Sequence, residues 1–313
     1  MRVLHTSDWH IGRTLHKVPL VEFQRVALAE ICGIAAREQA DLVVVAGDVF
    51  DHAVPSAESL EVLADLLRVA PVVVTAGNHD SLRRLGYGSR LFADRLFVRT
   101  RVEDVGAAIV FGDVRVYPIP YLHPDTARYV LAPDDQPLPA THRAVLGEAM
   151  ARVRADLDQH PGASSLVMAH AWVAGGGGSD SERDISVGGL GTVPPDVFAG
   201  VDYVALGHLH GPQEPRPVGA TRLRYCGSPL RYSFSEAEQE KGVTVVDLGP
   251  RRVTEIRQVP VGQPRPMVNL RGMIDELLDP AEHGECTDAW VSAVVTDERR
   301  PSQMWQRLRD RFP

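Results

Sequence analysis

Asp8-x-His10, Gly47-Asp48, Gly77-Asn78-His79, His170 and Gly207-His208-x-His210 are short polar clusters, and each closes a hydrophobic run of the chain. Together they describe one site assembled at the ends of strands. The side chains are carboxylates, imidazoles and an amide with no thiolate, the ligand set of a paired centre of hard-to-borderline metal ions. Such a centre points to hydrolysis of a phosphate ester. Asp8 and His10 stand two apart, which on an extended segment puts both side chains on the same side. His208 and His210 repeat that spacing and can serve one metal each, or both. Asp48 has two oxygens with which to bridge two cations. Asn78 offers a neutral carbonyl oxygen, and His79, pointing differently, can face a substrate phosphate, stabilise its charge or protonate the leaving oxygen. Asp51 is the candidate to hold the His79 ring and favour its protonated form; a solvated loop acid is the other reading. Taken singly, each cluster reads as turn chemistry or a structural histidine. Their coincidence is what argues for a metal site.

The elements that must position these residues alternate in the first half of the chain. Arg2–Thr6, Leu42–Ala46 and Val72–Ala76 read as strands, and Val18–Glu38, Ser56–Arg68 and Ser81–Ala93 as helices, with Ser56 as a cap. That order predicts a parallel sheet covered on both faces, and ligands of such sheets bind beyond the carboxyl ends of the strands. Asp8, Asp48 and Asn78 all lie there. Farther on, Val105–Val110 and Val114–Pro118 form an expected hairpin around Gly112-Asp113. His142–His160 reads as a helix, and Ser165–His170 and Asp202–Leu206 as strands. Arg222–Cys226, Gly242–Leu248 and Arg252–Val259 would complete a second, more antiparallel sheet. The predicted fold is therefore an α/β sandwich of two mixed sheets flanked by helices.

Pro260–Pro266 reads as a linker. Beyond it, Met267–Leu270, Met273–Leu278, Ala289–Thr296 and Ser302–Arg309 spell strand, helix, strand, helix, a small α+β appendage. The expected domains are 1–262 and 263–313. Gly175 to Ser179 is either a loop of no consequence or a mobile rim beside His170.

Composition narrows the class. The chain of 313 residues is 44% hydrophobic and 24% charged, as in soluble globular proteins. It opens without the apolar core of a signal peptide and has no apolar run of bilayer length, so a cytoplasmic protein with no membrane partner is expected. Cys32, Cys226 and Cys286 lie outside every cluster, exclude a Cys-rich zinc site and give no disulfide framework. They read as buried small hydrophobes. His5, His16, His52 and His123 read as packing or surface residues. The net charge of −8 does not advertise a nucleic-acid binder. It does not exclude one, because site carboxylates count as negative and bound cations would offset them.

Met1–His10, Val45–Asp51, Ala76–Asp80, Ala205–His210 and Tyr225–Pro229 resemble the calcineurin-like metallophosphoesterases. With Ser179-Asp-Ser-Glu-Arg-Asp184, the match is to the branch of bacterial DNA double-strand-break nucleases that work with the SbcC ATPase. The resemblance covers nearly the whole chain. It implies that Asp8, His10, Asp48 and His210 hold one manganese ion, and that Asp48, Asn78, His170 and His208 hold the other, with Asp48 bridging. It further implies that His79 acts on the scissile phosphate, that DNA ends are cut exonucleolytically, and that hairpins or single strands are cut endonucleolytically. Mixed oxygen and nitrogen ligation suits manganese better than magnesium. The appendage resembles a capping domain lying over DNA. Such subunits continue into a segment that grips the ATPase, and that SbcC-binding segment is expected to be absent from a chain ending at Pro313. Helices 56–68 and 81–93, with Leu60, Val62, Leu63, Leu66 and Leu67, would pack into a homodimer or else cover the sheet. Arg13 and Lys17 beyond His10, and Arg83, Arg84 and Arg90 beyond His79, are basic edges for a DNA backbone or ordinary solvated charge. The alternative activity is that of a small-substrate phosphodiesterase or phosphoprotein phosphatase with the same metal site.

Overall fold

Apolar runs rich in β-branched residues become strands because their side chains pack well on a pleated surface covered from both sides. In the computed structural model, residues 1–66, 70–89, 95–133, 136–186 and 191–313 are described, with the backbone alone at 64–66. Strands β1 (Arg2–Thr6), β2 (Leu42–Ala46), β3 (Val72–Thr75) and β4 (Leu96–Arg99) lie side by side and parallel. Strands β5 (Ile109–Phe111), β6 (Val114–Pro118), β7 (Ser164–His170), β8 (Tyr203–Gly207) and β9 (Arg222–Tyr225) form a second sheet in the order β9-β8-β7-β6-β5. Among the described residues only the β5–β6 pairing of its strands is antiparallel.

Strands β10 (Gly242–Gly249) and β11 (Arg252–Pro260) depart from expectation. They extend the first sheet, not the second: β10 runs antiparallel to β1, with Arg2 opposite Asp247 and His5 opposite Thr244. A strand's alternation tells which of its faces is buried, but its partner here lies more than two hundred residues away and no local pattern names it.

The two sheets face each other through Val3, Val44, Val73, Leu166, Met168 and Ala205, all buried. Helix α1 (Val21–Arg37) covers the outer face of the first sheet with Leu28, Ile31 and Ile34, spaced three apart on one stripe. Burying each such side chain contributes about 1.5–3 kcal/mol. Helix α2 (Ala57–Leu66) lies beside α1, and the Ser56 hydroxyl accepts the Ser59 backbone N–H at 3.1 Å, as a cap should. Val62 is buried and Leu63 packs against the same core, while Leu60 is exposed. The side chain of Leu66, and Leu67, lie outside the described residues.

The helix expected at 81–93 is one turn, α3 (Leu82–Leu85), and the rest of it from residue 90 lies outside the described residues. Gly86 and Gly88 follow at once, and Gly88 has φ +74°, a left-handed conformation that stops a helix. Val105 likewise follows a single 3₁₀ turn, so the hairpin starts only at Ile109. Helix α4 (Pro124–Val130) precedes α5 (His142–Asp158), which covers the second sheet with Val145, Met150 and Val153 and is capped by the Thr141 hydroxyl.

The appendage pairs β12 (Met267–Gly272) in parallel with β13 (Trp290–Val295) and carries α6 (Ile274–Leu277), α7 (Pro280–His283) and α8 (Met304–Arg311). Leu270, Ile274, Leu277 and Leu308 give it a small core of its own. It is fastened to the sandwich where Trp290 meets Phe23, ring centroids 5.6 Å apart, and where the Asn269 amide donates to Phe234 O at 2.9 Å.

Candidate metal centre

The carboxyl ends of β1, β2, β3, β7 and β8 open toward one another, and every cluster read from the sequence sits on one of them. Asp8 N–H donates to Gly47 O and His10 N–H to Asp48 O, each at 3.0 Å, so the loops after β1 and β2 are laced together. The segment is not extended, as the period of two assumed. Asp8 has φ 54°, His10 45° and Asp48 50°, and His208 has 104°. Left-handed backbone at a non-glycine residue costs about 1–3 kcal/mol and persists only where the surroundings enforce it.

Two glycines show how close the chains come. A Cβ on Gly77 would stand 2.1 Å from Asp48 Oδ1, and one on Gly207 would stand 1.9 Å from Ala46 O. Neither backbone approach leaves room for any side chain.

The predicted ligands converge. His10 Nε2 lies 3.1 Å from His210 Nε2 and 3.6 Å from Asp48 Oδ2. Asp48 Oδ2 also lies 3.4 Å from His170 Nε2, which is 2.9 Å from Asn78 Oδ1, and His208 Nδ1 is 3.3 Å from the same Asn78 oxygen. Asp8, His10, Asp48, His170, His208 and His210 are each 3% exposed or less. Ligand atoms of Asp8, His10 and His210 fall within 4.8 Å of one another, as do those of Asp8, Asp48 and His170. His210 thus stands by Asp8 and His10, and His208 by Asn78 and His170.

A buried gathering of lone pairs is unfavourable unless protons or cations lie between them. Among the described residues His10 Nδ1 and His208 Nε2 have no hydrogen-bond partner, whereas His170 Nδ1 is held by Ala46 O at 3.0 Å, which aims Nε2 inward. This donor set fits two divalent ions of mixed oxygen and nitrogen preference. Burial and the Asp48 charge push Asp8 up to about 6. Burial also works against ionised Asp48, but His170, His10 and His79 overcome it and hold that carboxyl well below its usual range. Burial lowers His170 too, and Asp48 outweighs it, raising the imidazole to about 9.

His79 is edge-on to His10, ring centroids 4.6 Å apart, and its backbone N–H donates to Asp48 Oδ1 at 2.9 Å. Its Nδ1 is held by the backbone carbonyl of Asp51 at 2.8 Å, not by the Asp51 carboxylate, which is 3.6 Å away. That carboxylate stands closer to His10 Nδ1, at 3.2 Å, and to Arg13 Nη1, at 3.4 Å. Nor is the protonated ring favoured: burial, only partly opposed by Asp48, lowers His79 to about 4. Which atom of Asp51 would reach the ring was beyond any spacing argument.

Arg13 is committed to the protein. Its Nη2 donates to Ser181 O at 2.7 Å and its guanidinium lies 5.0 Å from the Tyr232 ring centre, so it is a brace and not a free phosphate ligand. Arg83 and Arg84 are exposed on α3; Arg90 lies outside the described residues. The glycine tract is pinned at Gly177, which exchanges hydrogen bonds of 2.8 and 2.9 Å with the Gln213 side chain. Cys226 and Cys286 are buried as expected, and Cys32 is partly buried.

Several supporting residues carried no sequence signal strong enough to single them out. Asp80 accepts the backbone N–H groups of Gly77, Val49 and Phe50 at 2.9–3.1 Å, tying the loops of Asp48 and Asn78 to each other. Burial and the nearby Asp48 charge push its carboxyl up to about 7. Its place directly after Asn78-His79 was the only clue. Gln24, from α1, holds the loop after β1 through Trp9 O, His10 O and Gly12 N. Ser181, Glu182, Glu236 and Lys241 crowd behind His210.

Residues 1–212 match the family model described as calcineurin-like phosphoesterase. The chain belongs to the calcineurin-like phosphoesterase family. It is accordingly a metal-dependent phosphodiester hydrolase, with the fold and paired-metal chemistry of that family. The chain is 30% identical over 285 residues to the SbcD subunit of nuclease SbcCD from Staphylococcus epidermidis, covering 89% of this chain and 74% of that protein. It is 32% identical over 262 residues to the protein of the same name from Staphylococcus saprophyticus, covering 82% of this chain and 68% of the other. Among solved structures, a dimetal phosphatase from Danio rerio aligns with a TM-score of 0.49 at 13% identity, over 84% of this chain and 99% of that one.

Proposed function

We propose that this calcineurin-like phosphoesterase is a manganese-dependent DNA nuclease, acting as a double-strand exonuclease and a single-strand or hairpin endonuclease in double-strand-break repair. The convergence of seven donor side chains on one buried spot, with His79 beside it, carries the reading. DNA as the substrate draws on the two relatives named as nucleases. Asp8, His10, Asp48 and His210 would hold one ion and Asp48, Asn78, His170 and His208 the other. A divalent pair so held would supply an activated water and neutralise charge in an in-line displacement.

The chain's own residues would divide the remaining work. His79, anchored at Nδ1 by Asp51 O, presents Nε2 to a phosphate oxygen. The negative charge of a phosphate beside a buried imidazole favours its protonated form, which can then pass a proton to the leaving oxygen. Asp51 would act on His10 and not on His79 as the acid-base partner. Arg83 and Arg84 remain the candidates for backbone phosphates.

The domain division at 262–263, a capping role for the appendage, an SbcC ATPase partner, a homodimer and a cytoplasmic location belong to the same proposal. The small core of the appendage supports the division. Among the described residues no helix is long and apolar enough to cross a membrane.

The test is manganese-dependent cleavage of an end-labelled hairpin duplex, run beside a cyclic nucleotide, a phosphopeptide and an aryl phosphodiester. Cleavage of the hairpin is the expected result. Activity on the small substrates or the phosphopeptide with none on DNA would replace this reading with that of a phosphodiesterase or a phosphatase.

A further inference from the structure

A buried polar network stands behind His210, and the proposed hydrolysis gives it no task. Glu236 is 0% exposed and Lys241 2%. Lys241 Nζ donates to Glu236 Oε2 at 2.7 Å, to His210 O at 2.8 Å, to Gln239 Oε1 at 2.8 Å and to Ser228 Oγ at 3.0 Å. Glu236 Oε2 also accepts the Tyr232 N–H at 3.1 Å. Its other oxygen accepts the hydroxyl of Ser179 at 2.9 Å and that of Ser181. Ser181 Oγ in turn meets His210 Nδ1, and Glu236 Oε1 itself is 3.4 Å from that nitrogen. Glu182 Oε1 accepts the His210 backbone N–H at 2.8 Å.

Stability alone is a poor reason for such an arrangement. Taking an ammonium and a carboxylate out of water costs several kcal/mol per ion, and an apolar pair of similar volume often does as well. What the network does have is a common target, since it fixes the ring nitrogen, the carbonyl and the amide of His210. A metal-ligating histidine that donates its outer N–H toward a carboxylate keeps the lone pair of its other nitrogen free and correctly aimed. The other histidine at this end, His10, has the Asp51 carboxylate 3.2 Å from its own Nδ1, and Arg13 ties Asp51 to Ser181. At the far end His170 Nδ1 is held by a neutral carbonyl, and His208 Nε2, like His10 Nδ1, makes no hydrogen bond among the described residues, so His210 is the ring whose outer nitrogen a carboxylate holds through a hydrogen-bond chain.

We infer that Glu236 is a positioning residue of the metal centre: through Ser181 it holds the His210 Nδ1–H, so that Nε2 faces the ion shared with Asp8, His10 and Asp48. Lys241 balances the carboxylate charge and fixes the same loop from its carbonyl side. The inference rests on the reading of His210 as a metal ligand.

Manganese titration of the full chain, with free ion followed by electron paramagnetic resonance, tests it. The wild type should bind two ions. Ser181→Ala should weaken one of them by about 10–100-fold and leave the other within about twofold, and Ser181→Thr, which keeps the hydroxyl, should restore it. Because Glu236→Gln alone would strand the Lys241 charge, the double variant Glu236→Gln/Lys241→Met serves as the second probe, with the same selective loss expected and the far-ultraviolet circular dichroism unchanged. Two ions bound with wild-type affinity in both variants would overturn the inference while leaving the metal centre standing. A wild-type chain that binds no manganese would overturn the metal-centre reading and this inference together.

Discussion

Nε2 of His10 lies 3.1 Å from Nε2 of His210, two hundred residues along the chain. Two imidazole nitrogens so close in a buried pocket are held away from hydrogen-bonding water and are poised to share a cation. This approach joins the loops after β1 and β8, and so the two sheets, at the point where the chemistry sits.

Asp48 reaches both halves of the cluster, from His10 at 3.6 Å to His170 at 3.4 Å. Asp48→Asn removes the charge that would bridge two ions. Manganese-dependent cleavage should fall by about 10²-fold or more, and titration should show one bound ion in place of two. Retention of both ions and full activity would remove Asp48 from the bridging position.

His79 lies within ligand reach of His10 and Asp48, and the proposed function keeps it out of both groups of four as the residue that acts on the phosphate. His79→Gln should keep both ions and the apparent KM while kcat falls by about 10²–10⁴-fold, the usual worth of a positioned acid. Steady-state kinetics with saturating manganese measure this. Cleavage at the wild-type rate would end the role assigned to the imidazole.

Gly207→Ala places a methyl group 1.9 Å from Ala46 O, where only backbone movement can relieve the clash. Overpacking of this kind costs about 1–3 kcal/mol. A lower melting temperature in chelator should accompany weaker manganese binding, because Gly207 ends β8 directly before His208. An unshifted melting curve would mean that the two strand ends part easily.

Arg2 and Asp247 fasten β1 to β10 through paired contacts of 2.8 Å. The Arg2 guanidinium holds the Asp247 carboxyl below its ordinary range. A carboxyl depressed in the folded state stabilises fully above its unfolded value, and that gain is lost as pH falls through the folded value. The pair is partly exposed, so Asp247→Asn should cost at most about 1 kcal/mol at pH 7. Urea midpoints of variant and wild type should converge in strong acid. A gap that persists there would assign the effect to packing.

Much of this site is legible locally. Asp8, Asp48 and Asn78 each follow a short apolar run, His170 and His208 do likewise, and residue type alone selects a metal that accepts oxygen and nitrogen. The strands themselves were marked by unbroken β-branched runs such as Val43-Val44-Val45. By contrast, the helix expected through Ala93 stops at Leu85, because two glycines outweigh the apolar spacing around them.

What the sequence by itself determined is therefore the list of candidate donors and the strand ends that carry them, since side-chain chemistry and burial period are properties of neighbouring residues. Only the tertiary structure decided that Gly242–Gly249 pairs with β1, that Asp8, His10, Asp48 and His208 adopt left-handed backbone, and that Asp51 turns its carboxylate to His10 and its carbonyl to His79. It alone brought Glu236 and Lys241 behind His210. Those features arise where distant segments meet, and their geometry is set by the packing of both sheets together, which no window along the chain contains.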